Sequence, residues 1–538
     1  MSLFKKQIFL SLGIFIIIVM SAFQGCAIKN PIEGVTTRIS NIPRTTSARV
    51  VFTDQNDGKI IKKSRIKVTF TGIDSNKVIT TNNESMTSTI VDSMLVFAIA
   101  DNIVPSVNKP VELILVAKAD NYLSTSQRIV ISSPGANDYV IPMVSHTTTV
   151  PGITSQSVPN IGTTSAATGT TAPIVASSTS SSTIAGAEIT IPAGTILKDK
   201  DGVVLSGTVA ARITYFDATQ PTAVASLPGG FAMRDENNAP GSFITAGFAA
   251  IDMTVDSVDV KSFGSPVNVN LGINSNTINP ETGVAVKAGD QIPLWSYDKE
   301  TGTWKNEGVQ TITGADKPGN SLSVTKKDVT HLSWWNLDWH YTGACATSGT
   351  KIAFSTGGWQ SLFVGLYFVK GNQLWTAGTV NSFDPTLQFF NAPNLPMKLK
   401  AFLSYSDYYL YYPGGEDRSV GNMTINNLCQ VQTVTMPITI PESMALTSVN
   451  ITVRGICSNG NILAEGNLDL YMFDYNNGWW KLAGRIVNGN IKIDGLRLNN
   501  KYTVSTYYNN EWFYREEMIT SKTQSIDINL PPNCPVCK

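Results

Sequence analysis

The residues best equipped for covalent chemistry sit in one twelve-residue stretch, THLSWWNLDWHY, from Thr330 to Tyr341. It holds two of the chain's three histidines and three of its ten tryptophans. In an extended strand His331 and Ser333 point to the same face, about 7 Å apart along the chain. A modest kink would bring the imidazole to the hydroxyl, and a histidine neutral near pH 7 is a suitable base. Ser333 would then attack the Leu332 carbonyl, and water would hydrolyse the resulting ester. The plainer reading is the expected one: a closing β-strand with Leu332 and Trp334 on one side and His331, Ser333 and Trp335 on the other, both sides covered. His340 and His146 have no acid or cysteine partner at a recognisable spacing and are expected at the surface or at a module boundary.

Such a stretch needs a scaffold, and the rest of the chain reads as all-β. From Ala48 the segments ARVVFTD, RIKVTFTG, SMLVFAIAD, VELILVAKAD and RIVISS are short, β-branched and separated by Asn, Asp, Gly and Pro turns. No long segment keeps a helical period, so residues 47–146 read as a β-sandwich. Residues 147–186 carry almost no large apolar or charged side chain and read as a Ser/Thr-rich linker that lends at most an edge strand. Further β domains follow at 187–341, 342–440 and 441–538. The Asp199 and Asp201 pair in DKDG is half of a calcium loop without the later oxygen ligands, and a hairpin turn is expected there. No metal or cofactor is expected anywhere.

The chain begins with Lys5 and Lys6, an apolar run from Ile8 to Phe23, and then Gln24, Gly25 and Cys26. That is the build of a secretory signal over residues 1–25. Cys26 directly after Gly25 resembles the lipobox of bacterial lipoproteins, which implies acylation of Cys26, palmitate included. A membrane tether over 26–46 would follow, with a place in the cell envelope, on the outer membrane, facing the periplasm or the cell surface. Lysines and arginines equal acids at 40 each, and the signal removes two lysines, so nothing steers nucleic acid to this protein. Charged residues make up 15% of the chain, against roughly 25% in ordinary globular proteins, a balance that suits exported β modules.

In an oxidising compartment the five cysteines after Cys26 favour disulfides, and Cys345 with Cys429 is the expected pair. Cys457 is left for one of Cys534 and Cys537, whose CxxC spacing lacks the context for redox or zinc chemistry.

Two stretches carry resemblances. VNITVRGICSNGNILAEGNLDLYMFD with NGNIKIDGLRLNNKYTVSTYY, in 441–538, resembles carboxypeptidase regulatory-like, transthyretin-type sandwiches, and 47–146 looks like a looser relative. The resemblance implies modules that brace, pack or bind. The order Trp295, Trp304, Gly308 and His331-Leu332-Ser333 resembles the cleavage region of autoproteolytic adhesion-receptor domains and, more loosely, ZU5-type domains. It implies a cut between Leu332 and Ser333. The cysteines of the receptor pattern are replaced here by Val309, Lys327 and Val329.

All ten tryptophans lie at or after Trp295. Adjacent aromatics such as Tyr409 and Tyr411 among neighbouring tyrosines, Trp479 with Trp480, and Trp512 beside Phe513 exceed what a one-sided strand core absorbs. They are expected between modules, or as a platform for sugar rings. The expected function is a non-catalytic, membrane-anchored envelope protein acting in adhesion, scaffolding or partner binding, its partner an envelope protein or a glycan.

Overall fold

The computed structural model describes residues 44–529 with short internal exceptions, among them 180–184, 315–321, 404–406, 408–416, 441–446 and 457–467. Residues 1–25, expected as a signal, and Cys26, Tyr409, Tyr411, Cys457, Cys534 and Cys537 lie outside the described residues. The protein is all-β, and its strands fall into two compact units. One spans residues 44–445, and the other holds most of residues 446–538.

The first module contains β1 (Thr46–Asp54), β2 (Ile66–Thr71), β3 (Val78–Ile79), β4 (Ser88–Val91), β5 (Met94–Ile99), β6 (Val111–Ala119), β7 (Thr125–Ile131) and β8 (Gly135–Met143). They form two four-stranded sheets, β3-β5-β1-β8 and β4-β2-β6-β7. Alternation places Ile66, Val68 and Phe70 of β2 in the core with Lys67 outside. There they meet Val50, Phe52, Phe97, Leu113 and Leu115, with the Phe70 and Phe97 rings edge-on at 4.8 Å.

The second module starts earlier than the sequence implies. Residues 147–186, expected as a linker, instead supply β9 (Ile153–Ser165), β10 (Gly169–Thr170) and β11 (Ile174–Ser177). Strand β9 runs antiparallel to β14 (Gly207–Phe216), from Phe216 opposite Ile153 to Gly207 opposite Thr164. A main-chain ladder needs no large side chains, threonine suits strands, and buried Ile153, Ile174 and Ala176 supply enough anchoring. Pro159 lies where the register with β14 slips, the kind of place a sheet tolerates proline.

The other strands of this module are β12 (Ala187–Ile191), β13 (Leu197–Lys198), β15 (Ala232–Arg234), β16 (Pro240–Val255), β17 (Val258–Asp259), β18 (Ser262–Ile273), β19 (Gln291–Asp298), β20 (Thr303–Thr311), β21 (Thr313–Gly314), β22 (Leu322–His331) and β23 (Trp334–Tyr341). One sheet runs β10-β9-β14-β16-β23-β19-β20, with β15 and β17 on β16. The other runs β11-β12-β18-β22-β21, with β13 on β18.

The third module comprises β24 (Cys345–Thr347), β25 (Thr350–Phe354), β26 (Ser361–Phe368), β27 (Leu374–Asn381), β28 (Thr386–Leu387), β29 (Phe390–Ala392), β30 (Met397–Phe402), β31 (Gly421–Ile425) and β32 (Gln432–Met436). Its β27 lies against β8 of the first module and its β29 against β16 of the second, so these three modules cluster instead of forming a linear string.

The fourth module has β33 (Thr447–Ile456), β34 (Leu468–Asp474), β35 (Trp479–Ile486), β36 (Asn490–Leu496), β37 (Asn500–Tyr508), β38 (Glu511–Ile519) and β39 (Thr523–Asn529) around Val449, Ile451, Leu470, Met472, Ile493 and Val504.

One strand order recurs in the first, third and fourth modules. In each, an early strand pairs in parallel with the closing one: β1 with β8, β25 (the second strand of its module) with β32, β33 with β39. The facing sheets are β4-β2-β6-β7, β27-β26-β30-β31 and β35-β34-β37-β38, the same order three times.

Candidate functional site

The opening stretch is not one strand. β22 ends at His331 and β23 begins at Trp334, so Leu332 and Ser333 form the step by which the chain leaves one sheet for the other. This corrects the single closing strand expected from alternation. Local periodicity carries no information about which sheet a strand joins.

Ser333 is held at that step by both main-chain groups of Tyr297. Its hydroxyl donates to the Tyr297 carbonyl at 2.7 Å and accepts from the Tyr297 N–H at 3.0 Å. The Leu332 N–H donates to the Lys261 carbonyl at 2.9 Å. His331 turns elsewhere: its Nε2 is 3.7 Å from Glu307 Oε1, and its ring lies 5.2 Å from that of Trp335. Burial lowers the His331 pKa, against the opposing pull of Glu307, which leaves the imidazole neutral near pH 7. Among the described residues no hydrogen bond joins His331 to Ser333, and neither Leu332 nor Ser333 has a positive φ. The alignment of base with nucleophile that a cut between Leu332 and Ser333 would use is therefore not made in this arrangement.

The aromatic load of the stretch is spent on packing. β23 lies antiparallel to both β16 and β19, with Trp334 opposite Ala250 and Tyr297, and Asn336 opposite Phe248 and Trp295. Phe243 meets Trp295 and Trp304 edge-on, each at 5.1 Å, and Trp295 lies 4.8 Å from His340. Phe216 stacks on Phe248 at 4.4 Å and on Trp334 at 5.6 Å. All of these rings except His340 are buried.

Among them sits a polar trio for which the sequence gives no signal. Thr245, Asn336 and Asp338 are all fully buried. The Thr245 hydroxyl donates to Asn336 Oδ1 at 2.6 Å, and Asn336 Nδ2 donates to Asp338 Oδ2 at 2.5 Å. Asp338 Oδ1 has no partner, and burial drives this carboxyl well above its usual range, against the opposing hydrogen bond from Asn336. The trio depends on the sheet register and on a bulge between Thr245 and Gly247, neither of which the residue types announce.

The remaining expected sites fall as follows. Cys345 and Cys429 are joined by a disulfide, with Cα atoms 5.6 Å apart. Asp199 Oδ1 accepts from the N–H groups of Asp201 and Val203, a turn with its carboxylate already occupied. β35 carries Trp479 and Trp480, and β38 carries Trp512. His146 is half-buried, and burial together with Arg212 lowers its pKa to about 4. His340 is also shifted down by burial, against the pull of Asp235. Among the described residues no group of three or more His, Cys, Asp or Glu is placed to hold a metal ion, and no helix is long and apolar enough to cross a membrane.

Comparison with known proteins leaves the assignment to these features. No family model matches the chain. Over 131 residues, 24% of its length, it is 27% identical to human Cartilage intermediate layer protein 2, and it spans 11% of that protein. Among solved structures, the Bacillus anthracis TIE protein is 7% identical, with 93% of this chain and 76% of that one covered, at a TM-score of 0.14. A streptococcal ancillary pilin is 10% identical over 47% of this chain and 95% of its own, with a TM-score of 0.15. Two B repeat units of the Staphylococcus aureus collagen binding protein are 12% identical over 86% and 93%, with a TM-score of 0.14. At such scores the all-β class rests on the chain's own strands.

Proposed function

We propose that this chain is a non-catalytic envelope protein, anchored through an acylated Cys26, whose β-sandwich modules present a surface for adhesion, scaffolding or a protein partner. The supporting observation is how the stretch richest in reactive groups is used. Ser333 ties two strands together, His331 faces Glu307, and the tryptophans of β23 fill the interior. The strand order shared by three modules fits the resemblance of the first and fourth to carboxypeptidase regulatory-like sandwiches, modules that brace or bind. An envelope protein is the favoured partner class, with a glycan second.

The anchor is tested by growing cells with a clickable palmitate analogue and comparing wild type with Cys26→Ser, alongside protease shaving of intact cells. Label on the wild type that is lost in the variant, with ectodomain fragments released by shaving, is the expected result. An unlabelled wild-type protein recovered in the cytoplasm would overturn the proposal.

A further inference from the structure

The first and second modules meet along a face that the first module cannot cover by itself. On β6 every residue from Leu113 to Ala117 is buried, although alternation sends only Leu113, Leu115 and Ala117 into its own core. The outward side chains Ile114 and Val116 are 6% and 7% exposed. The turn between β19 and β20 covers Ile114. A Cβ at Gly302 would stand 2.4 Å from Ile114 Cδ1, and Gly302 holds φ +70°, so a side chain there would be strained and would displace Ile114.

Polar fastenings surround this contact. Ser126 Oγ and the Tyr297 hydroxyl are 2.7 Å apart, the Gly229 N–H donates to the Ser126 carbonyl at 2.9 Å, and Gln55 Nε2 donates to the Thr222 carbonyl at 2.8 Å. At the centre Glu112 of β6 accepts from Arg234 of β15, at 2.9 Å from Nη2 and 3.3 Å from Nε. It also accepts from Arg128 of its own module. Side-chain exposures of 8%, 19% and 25% for Arg128, Glu112 and Arg234 keep this trio out of bulk water. The two guanidiniums repel each other, and only the carboxylate between them makes their approach favourable.

We propose that Glu112 is the latch of a preset joint, locking the first and second modules into one hinge-free body. Relative motion is the default between modules of one chain, and here the latch and the Ile114 contact suppress it. The proposal is independent of the anchoring and adhesion reading.

The Gly229 amide reports on the joint, because its hydrogen bond crosses it. Hydrogen exchange resolved to residues by mass spectrometry, on the full mature chain, compares wild type, Glu112→Gln and Arg234→Gln. In the wild type Gly229 is expected to exchange as slowly as the strand amides of β1 and β16. In Glu112→Gln it should exchange at least about tenfold faster, with β1 and β16 unchanged. If Glu112→Gln also loosens β1, the milder Arg234→Gln decides, since it leaves Glu112 paired with Arg128: acceleration confined to Gly229 supports the latch. Fast exchange of Gly229 in the wild type, or no acceleration in Arg234→Gln, would sink it.

Discussion

Two titratable groups, the buried Asp338 and the half-buried His146, give this protein opposing responses to pH. Asp338 keeps its proton in the folded state where the unfolded chain has released it, so its contribution to stability falls as pH rises above the ordinary value of 3.8. His146 refuses a proton that the unfolded chain accepts. Its contribution is intact above 6.5 and is lost as pH falls from there towards about 4. Urea midpoints measured from about pH 7 down to about pH 4.5 should separate the two effects. Asp338→Asn should raise stability most at the upper end of that range, and His146→Gln should flatten the loss at the lower end. Parallel curves for wild type and both variants would show that neither group is linked to folding. Neither effect could be read from the sequence, because each pKa is set first by burial, which tertiary packing decides, with Arg212 adding to it at His146.

At the scale of elements, the difference between linker and strand is decided by what a segment pairs with. Strand β9 shows this: a run that composition assigns to a flexible tether is aligned with β14 over most of its length. Hydrogen exchange of residues 153–165 is expected to be slow, with protection factors well above those of a coil, wherever an amide faces β14. Exchange of the whole segment within seconds would return it to a linker. The break between β22 and β23 has a similar origin. The sequence correctly marks an extended, apolar stretch, but Leu332 and Ser333 leave the strand because the chain must cross between two stacked sheets there. The aromatic and β-branched residues that made the strands legible act locally, whereas the choice of sheet is a long-range matter.

For the whole molecule, the recurring strand order means that each of three modules closes by pairing one of its first two strands with its last. The third module adds a covalent tie between the same regions, since Cys345 precedes β25 and Cys429 precedes β32, 84 residues apart. Replacing both cysteines with serine should lower the stability of this module by about 2–4 kcal/mol, seen as an earlier unfolding transition in calorimetry of the protein. An unshifted thermogram would mean that the tie adds nothing to folding.

The residues alone determined the all-β class, because alternation, β-branching and turn chemistry act over a few positions. They also marked Ser333 and His331 as the groups worth weighing. Tertiary structure decided how those groups are used, bonding Ser333 to Tyr297 and aiming His331 at Glu307. It likewise assembled Thr245, Asn336 and Asp338, and set Arg234 against Glu112 across 122 residues. Such meetings follow from sheet register and module packing, and no short-range pattern of residue types encodes either.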